Sequence, residues 1–84
     1  MSLEYIRREL EKENLHFGPH LVDRMIQYNI DLDQVISVIN GKVNKKEPDE
    51  RSHRRFTKYS LTKGNVSVVV KDSEIPFVIT VFRR

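Results

Sequence analysis

His20-Leu21-Val22-Asp23-Arg24-Met25-Ile26-Gln27-Tyr28-Asn29-Ile30-Asp31-Leu32-Asp33-Gln34-Val35 is the stretch that decides the fold. It predicts two short helices joined by a tight turn. Pro19 suits the first position of the first helix, where its missing N–H is one of the donors a helix start leaves unpaired. Leu21, Val22, Met25 and Ile26 form one apolar stripe. Asn29 can take the left-handed conformation that ends a helix, and Ile30 can fold back onto it. Asp31 and Gln34 have capping-box spacing, with Asp31 as the cap. Val35, Ile36, Val38 and Ile39 then make the apolar face of the next helix, which Gly41 closes. Their β-branched side chains weaken an isolated helix, so this one depends on tertiary packing.

Working outward toward the N-terminus, Leu3, Ile6 and Leu10 follow helical spacing. Ser2 can cap that helix, Glu4 suits its first turn, and it is expected to run to about Asn14. Leu15 and Phe17 flank a connector that ends in Gly18. Beyond Gly41 the pattern changes. Residues 42–52 are polar, with Pro48 and Asp49 marking a turn. Arg54 to Leu61 reads as a strand, Lys63-Gly64-Asn65 as a hairpin turn, and Val66 to Lys71 as a second strand. Val68, Val69 and Val70 imply burial of that strand on both faces. Asp72 to Glu74 is another turn, and Pro76 opens the last strand, Phe77 to Arg83, at a tolerated position. Lys42 to Lys46 can add an edge strand. The expected class is α+β, as one domain over residues 1–84. Two to three N-terminal helices (1–41) pack on one face of a three- to four-stranded antiparallel sheet (42–84).

Composition narrows the function. Eighty-four residues leave no room for two cores. The absence of cysteine excludes disulfides and thiolate chemistry. No apolar run approaches the ~18 residues that span a membrane. Met1 to Arg8 is charged and lacks an apolar signal core, so the cytoplasm is the expected location. The net charge of +3 is unevenly spread. Residues 1–50 hold seven Lys/Arg and ten Asp/Glu, whereas residues 51–84 hold eight and two. A basic second half suits a polyanionic partner such as RNA, although many small domains carry a basic face and bind no polyanion.

His20 and Arg24 lie four residues apart, on one helical face. Imidazole titrates near neutrality, and a place in the first helical turn favours its neutral form, which suits a base. A guanidinium one turn away can grip a phosphate with a fork of donors. Structural roles are open to both residues. His20 can pair with Asp23 or cap a neighbour, and Arg24 can bridge to Asp31, Asp33 or Glu13. His16 and His53 read as surface residues. His16 and His20 are also four apart, but Pro19 places His16 outside the helix, so no metal site is expected. Arg54, Arg55, Lys58 and Tyr59 put cations and an aromatic ring in one strand, a combination that can follow phosphates and stack on a base. In the last strand, alternation sets Phe77, Ile79, Val81 and Arg83 toward the helices. Val78, Thr80, Phe82 and Arg84 then point the other way, so Thr80 and Arg83 share a face only through a bulge or around the strand end.

The helical hairpin resembles the family catalogued as domain of unknown function 4258. That family's pattern is His, three residues, Arg-Met, two residues, a basic residue, Gly-Ile, then a capped helix with an aspartate and a valine. Here Asn29 stands where the family prefers Gly, and Tyr28 replaces the basic residue. The likeness continues through Asn40-Gly41, Arg54-Arg55-Phe56, the valine strand and Ile79-Thr80-Val81-Phe82, about residues 15–84. The resemblance implies a fold like that of the RelE, colicin D and EndoU ribonucleases, the BECR fold. Several members of that group are toxins that cut RNA without a metal. The implied function is a metal-independent, cofactor-free endoribonuclease acting through the 2′-OH, with RNA as substrate and an antitoxin or immunity protein as partner. His20, Arg24 and Thr80 would be catalytic. Arg54, Arg55, Lys58, Tyr59 and Arg83 would contact phosphate or RNA. The alternative is a non-catalytic nucleic-acid- or protein-binding regulatory module, in which His20 and Arg24 are structural or contact residues.

Overall fold

The computed structural model describes residues 3–48 and 56–83. Ser2, Asp49, His53, Arg54, Arg55 and Arg84 therefore lie outside the described residues. The elements run α1 (Leu3–Glu11), β1 (His16–Phe17), α2 (Leu21–Tyr28), α3 (Leu32–Ile39), β2 (Lys42–Pro48), β3 (Thr57–Lys63), β4 (Val66–Lys71) and β5 (Phe77–Arg83). The strands form a mixed five-stranded sheet in the order β1-β5-β4-β3-β2. Strands β2 to β5 are antiparallel to one another in sequence, and β1 runs parallel to β5.

Three expectations about the sheet need correction. It has five strands rather than three or four, because the connector before Gly18 is itself a strand: the His16 N–H donates to Pro76 O at 2.8 Å and the Gly18 N–H to Val78 O at 2.9 Å. Two residues are too few to show alternation in a sequence. The edge strand expected at Lys42 to Lys46 is present but extends through Pro48, at a strand end where the missing donor is tolerated. Helices cover only one sheet face among the described residues, so Val68 and Val70 are fully buried while Val69 is half-buried on the other face.

The helices end as their sequences direct. Helix α1 stops at Glu11 instead of Asn14, because Glu13 turns left-handed (φ 59°). The Asn14 N–H then bonds Glu9 O at 2.9 Å and the Glu13 N–H bonds Leu10 O at 3.0 Å. Asn29 does the same for α2 at φ 54°, and Ile30 folds back to bond Met25 O at 2.8 Å. The α3 capping box is complete, with the Gln34 N–H on Asp31 Oδ1 at 2.8 Å and the Asp31 N–H on Gln34 Oε1 at 3.0 Å. The start of α2 differs from expectation. Pro19 and His20 form a turn after Gly18, and His20 caps the helix instead of lying in its first turn. A Cβ at Gly18 would lie 3.2 Å from Val78 O, Ile79 O and the Phe77 ring, so a larger residue there would push these neighbours aside.

The apolar stripe of α2 splits. Leu21 is buried and Met25 half-buried, but Val22 and Ile26 are 58% and 74% exposed. Adjacent helical positions are about 100° apart, and α2 packs chiefly against β5, so one row of the stripe stays outside. The core lies between the helices and Tyr59, Leu61, Val66, Val68, Val70, Val78 and Val81. Ile6 of α1 is fully buried in it. Val78 and Val81 both face this core because β5 bulges at Ile79: Val69 pairs with Thr80 but Val70 pairs with Val78. Phe77 and Ile79 therefore leave the core face that simple alternation assigned them.

Two arginines close the helix ends from a distance. Arg7 donates through Nε to Ile39 O at 3.1 Å and through Nη2 to Gly41 O at 2.7 Å, at the end of α3. Arg83 donates through Nε to Tyr28 O at 3.1 Å and through Nη2 to Asn29 O at 3.2 Å, at the end of α2. Each cation meets carbonyls that a helix terminus leaves without partners.

Arg7→Ala is expected to cost about 1.5–3 kcal/mol, the range for hydrogen bonds to a charged group, read from the urea unfolding midpoint. Glu9 gives a pH prediction. The Asn14 amide at 3.1 Å, and then Lys12, hold its carboxyl below the ordinary 4.5 against the opposing effect of burial. Its stabilising contribution is thus present above pH 4.5 and is lost as pH falls through the depressed value. Glu9→Gln is expected to flatten the stability profile in that acid range and leave its slope near neutrality unchanged.

Candidate nucleic-acid interface

The three helices cover one side of the sheet; among the described residues no helix covers the other. Register defines this open face. Lys42 faces Thr62, Lys45 faces Ser60 and Glu47 faces Lys58. Lys58 in turn faces Lys71, Ser60 faces Val69 and Thr62 faces Ser67. The bulge at Ile79 then brings two consecutive residues of β5, Ile79 and Thr80, into the same groove. That groove has a volume of ≈ 470 Å³. Its polar lining is Glu47, Lys58, Ser60, Lys71 and Thr80, and its apolar lining is Val69, Phe77 and Ile79.

Glu47, Lys58 and Thr80 are loosely engaged. Lys58 Nζ is 3.8 Å from Glu47 Oε1, and Lys45 Nζ is 3.3 Å from Glu47 Oε2. Exposed pairs of this kind contribute only about 0–1 kcal/mol. The Lys71 ammonium lies 5.5 Å from the Phe77 ring centre and 5.7 Å from that of Phe56. The Thr80 hydroxyl reaches Val81 O at a long 3.4 Å.

The residues singled out in the sequence separate into three groups. Lys58 and Thr80 come together in the open-face groove. Arg83 and Tyr59 lie on the helix side. Arg83 closes α2 and also donates through Nη1 to Asn65 Oδ1 at 3.3 Å, so the bulge does not bring it to Thr80's face. Tyr59 is 5% exposed within the core, and burial, then Asp72, push its hydroxyl above the ordinary value of 10.0. A ring held there cannot stack on a base, which corrects that expectation. Its alternation with Lys58 and Ser60 already implied opposite faces.

His20 and Arg24 form the third group, exposed on α2. His20 makes no side-chain cap hydrogen bond and, among the described residues, no ion pair with Asp23. Arg24 pairs with none of Asp31, Asp33 and Glu13 there; its Nη1 donates to Gln27 Oε1 at 3.1 Å. The structural partners open to these residues in the sequence are not used. His20 follows Gly18 by two residues, and Thr80 follows Val78 by two. Gly18 is bonded to Val78 across a parallel pairing. Two residues span at most about 7 Å, so His20 and Thr80 each lie within about that distance of the Gly18–Val78 hydrogen bond. Among the described residues, no three His, Asp or Glu side chains cluster to hold a metal ion.

The family model described as Domain of unknown function (DUF4258) matches residues 17–83. The chain belongs to the DUF4258 family. The DUF4258 span takes in His20, Arg24 and every residue of the open-face groove, and begins after α1. Comparison with curated proteins and with solved structures returns no match. No helix is long and apolar enough to cross a membrane among the described residues.

Sequence reasoning missed Glu47, Ser60, Lys71, Phe77 and Ile79 as groove residues. Strand parity could have placed Ser60 beside Lys58, and the hairpin register could have placed Lys71 opposite it. The bulge that turns Ile79 and Thr80 together leaves no sequence signal. Arg83→Ala is expected to lower the melting temperature and to leave the salt dependence of any RNA binding unchanged, since that guanidinium is committed to α2.

Proposed function

We propose that this DUF4258 domain is a metal-independent endoribonuclease of toxin type. The RNA's own 2′-oxygen attacks the adjacent phosphorus, and the 5′-oxygen leaves with a proton from water. His20 accepts the 2′-OH proton, Arg24 grips the scissile phosphate and Thr80 orients it. A 2′,3′-cyclic phosphate is the product. The observation that carries this reading is the exposed His20 imidazole. It has no structural partner among the described residues, stands one helical turn from a guanidinium, and emerges beside the strand that bears Thr80.

One observation favours a second reading, a non-catalytic module that binds RNA or a protein. No hydrogen bond or ion pair joins His20 or Arg24 to Thr80 or to the groove among the described residues. Cleavage requires the bound RNA to bridge them.

The test is incubation of the pure protein with transfer RNA and total RNA in EDTA, with cyclic-phosphate ends as the readout. His20→Ala is expected to slow cleavage by about 10²–10⁴-fold, the usual contribution of a positioned acid or base. Equal cleavage by both proteins, or none by the native one, would sink the catalytic reading.

A further inference from the structure

A second histidine stands at the same remove from the Gly18–Val78 hydrogen bond as His20 does. His16 precedes Gly18 by two residues, and His20 follows it by two. The His16 backbone therefore also lies within about 7 Å of that point. Register gives the face on which it stands. His16 pairs with Phe77, and Phe17 with Val78, in parallel strands. Val78 is fully buried in the core, and Phe17 lines an apolar pocket with Leu10, Leu15, Leu32 and Ile36 on the helix side. Alternation then turns His16 to the open face, beside the groove residue Phe77. His16 is exposed, and among the described residues its side chain has no hydrogen bond or ion pair.

Position 18 belongs to the same face, since a Cβ there would lie 3.2 Å from Cε1 of the Phe77 ring. Glycine puts no side chain between the two histidines. The His16 and Gly18 N–H groups both bond β5, which holds His16 on the sheet. The Leu21 N–H bonds Gly18 O at 3.0 Å and closes the turn that carries His20. Cleavage through the 2′-OH needs two proton transfers. The attacking and leaving oxygens stand in line on opposite sides of the phosphorus, so a base and an acid act from opposite sides too. One histidine cannot serve both at once. We propose that His16 is the acid that pairs with His20. As the bond from phosphorus to the 5′-oxygen breaks, the His16 imidazolium gives its proton to that oxygen by way of the intervening water. His20 gains one proton and His16 loses one, and exchange with solvent restores both, as imidazoles that titrate near neutrality allow. This role rests on the ribonuclease reading and adds the second proton transfer to it. The DUF4258 match begins at residue 17, so His16 lies outside the matched span.

The experiment compares two RNA oligonucleotides in EDTA. One has an ordinary linkage at the position the native protein cuts. In the other, sulfur replaces the bridging 5′-oxygen of that linkage, and a thiolate leaves without needing a proton. Thermal melts confirm that each variant is folded. On the ordinary linkage His16→Ala is expected to slow cleavage by about 10²–10⁴-fold, the usual contribution of a positioned acid. On the sulfur linkage His16→Ala should cleave close to the native rate, whereas His20→Ala should stay slow on both. A role for His16 in folding or in holding RNA would slow both linkages alike, and that result overturns the proposal. So does rescue of His20→Ala in place of His16→Ala. If His16→Ala cuts the ordinary linkage as fast as the native protein while His20→Ala does not, the acid falls and the ribonuclease reading stands. If the native protein cuts neither oligonucleotide nor transfer RNA, the ribonuclease reading falls and the acid falls with it.

Discussion

The two carbonyl-rich helix ends in the α2–α3 hairpin are the constraint on which the rest depends. Each helix has eight residues, too short to be stable without tertiary support. Arg83 ties the end of α2 to the end of β5 and, through Asn65, to the β3–β4 hairpin. Arg7 ties the end of α3 to α1. These bonds fix α2 along β5, and so fix where His20 and Arg24 emerge. They also explain why α1, which precedes the matched family span, is integral to this chain: it supplies both Arg7 and the fully buried Ile6.

Among the described residues, all three helices lie on one face of the sheet, which leaves the other face open to take on chemistry. The β5 bulge has a double effect. It keeps Val78 and Val81 in the core, and it turns Ile79 and Thr80 together into the groove beside Lys58 and Lys71. The covered face takes Tyr59, Leu61 and the fully buried valines. The open face takes lysines, hydroxyls, Val69, Ile79 and the Phe77 ring. This division separates the residues that hold the domain together from those available to a ligand.

The local signals were legible in the sequence because each is a short-range rule. The Asn29 turn, the Asp31–Gln34 box and the Lys63-Gly64-Asn65 hairpin all form as their residues direct, with Gly64 at φ 63°. The features that stayed hidden depend on tertiary neighbours. Strand β1 exists only because β5 offers it an edge, and the fate of Val22 and Ile26 depends on how much of α2 the sheet can cover. Arg83 reads as one more cation in a basic tail until the carbonyls of Tyr28 and Asn29 are seen in front of it. His20 and Arg24 were visible as a pair, and Lys58 and Thr80 as separate candidates. The groove that Lys58 and Thr80 share came from register and from a bulge, neither of which spacing encodes.

Whether ligand meets this domain on the open sheet face and at the start of α2 is tested most directly by backbone amide shifts. The measurement is an NMR titration with a short 2′-O-methyl RNA strand. The largest shifts are expected at Lys58, Ser60, Lys71 and Thr80, continuing to His20 and Arg24. Shifts confined to the helix side, around Val22, Ile26 and Leu32, would contradict this account of the domain.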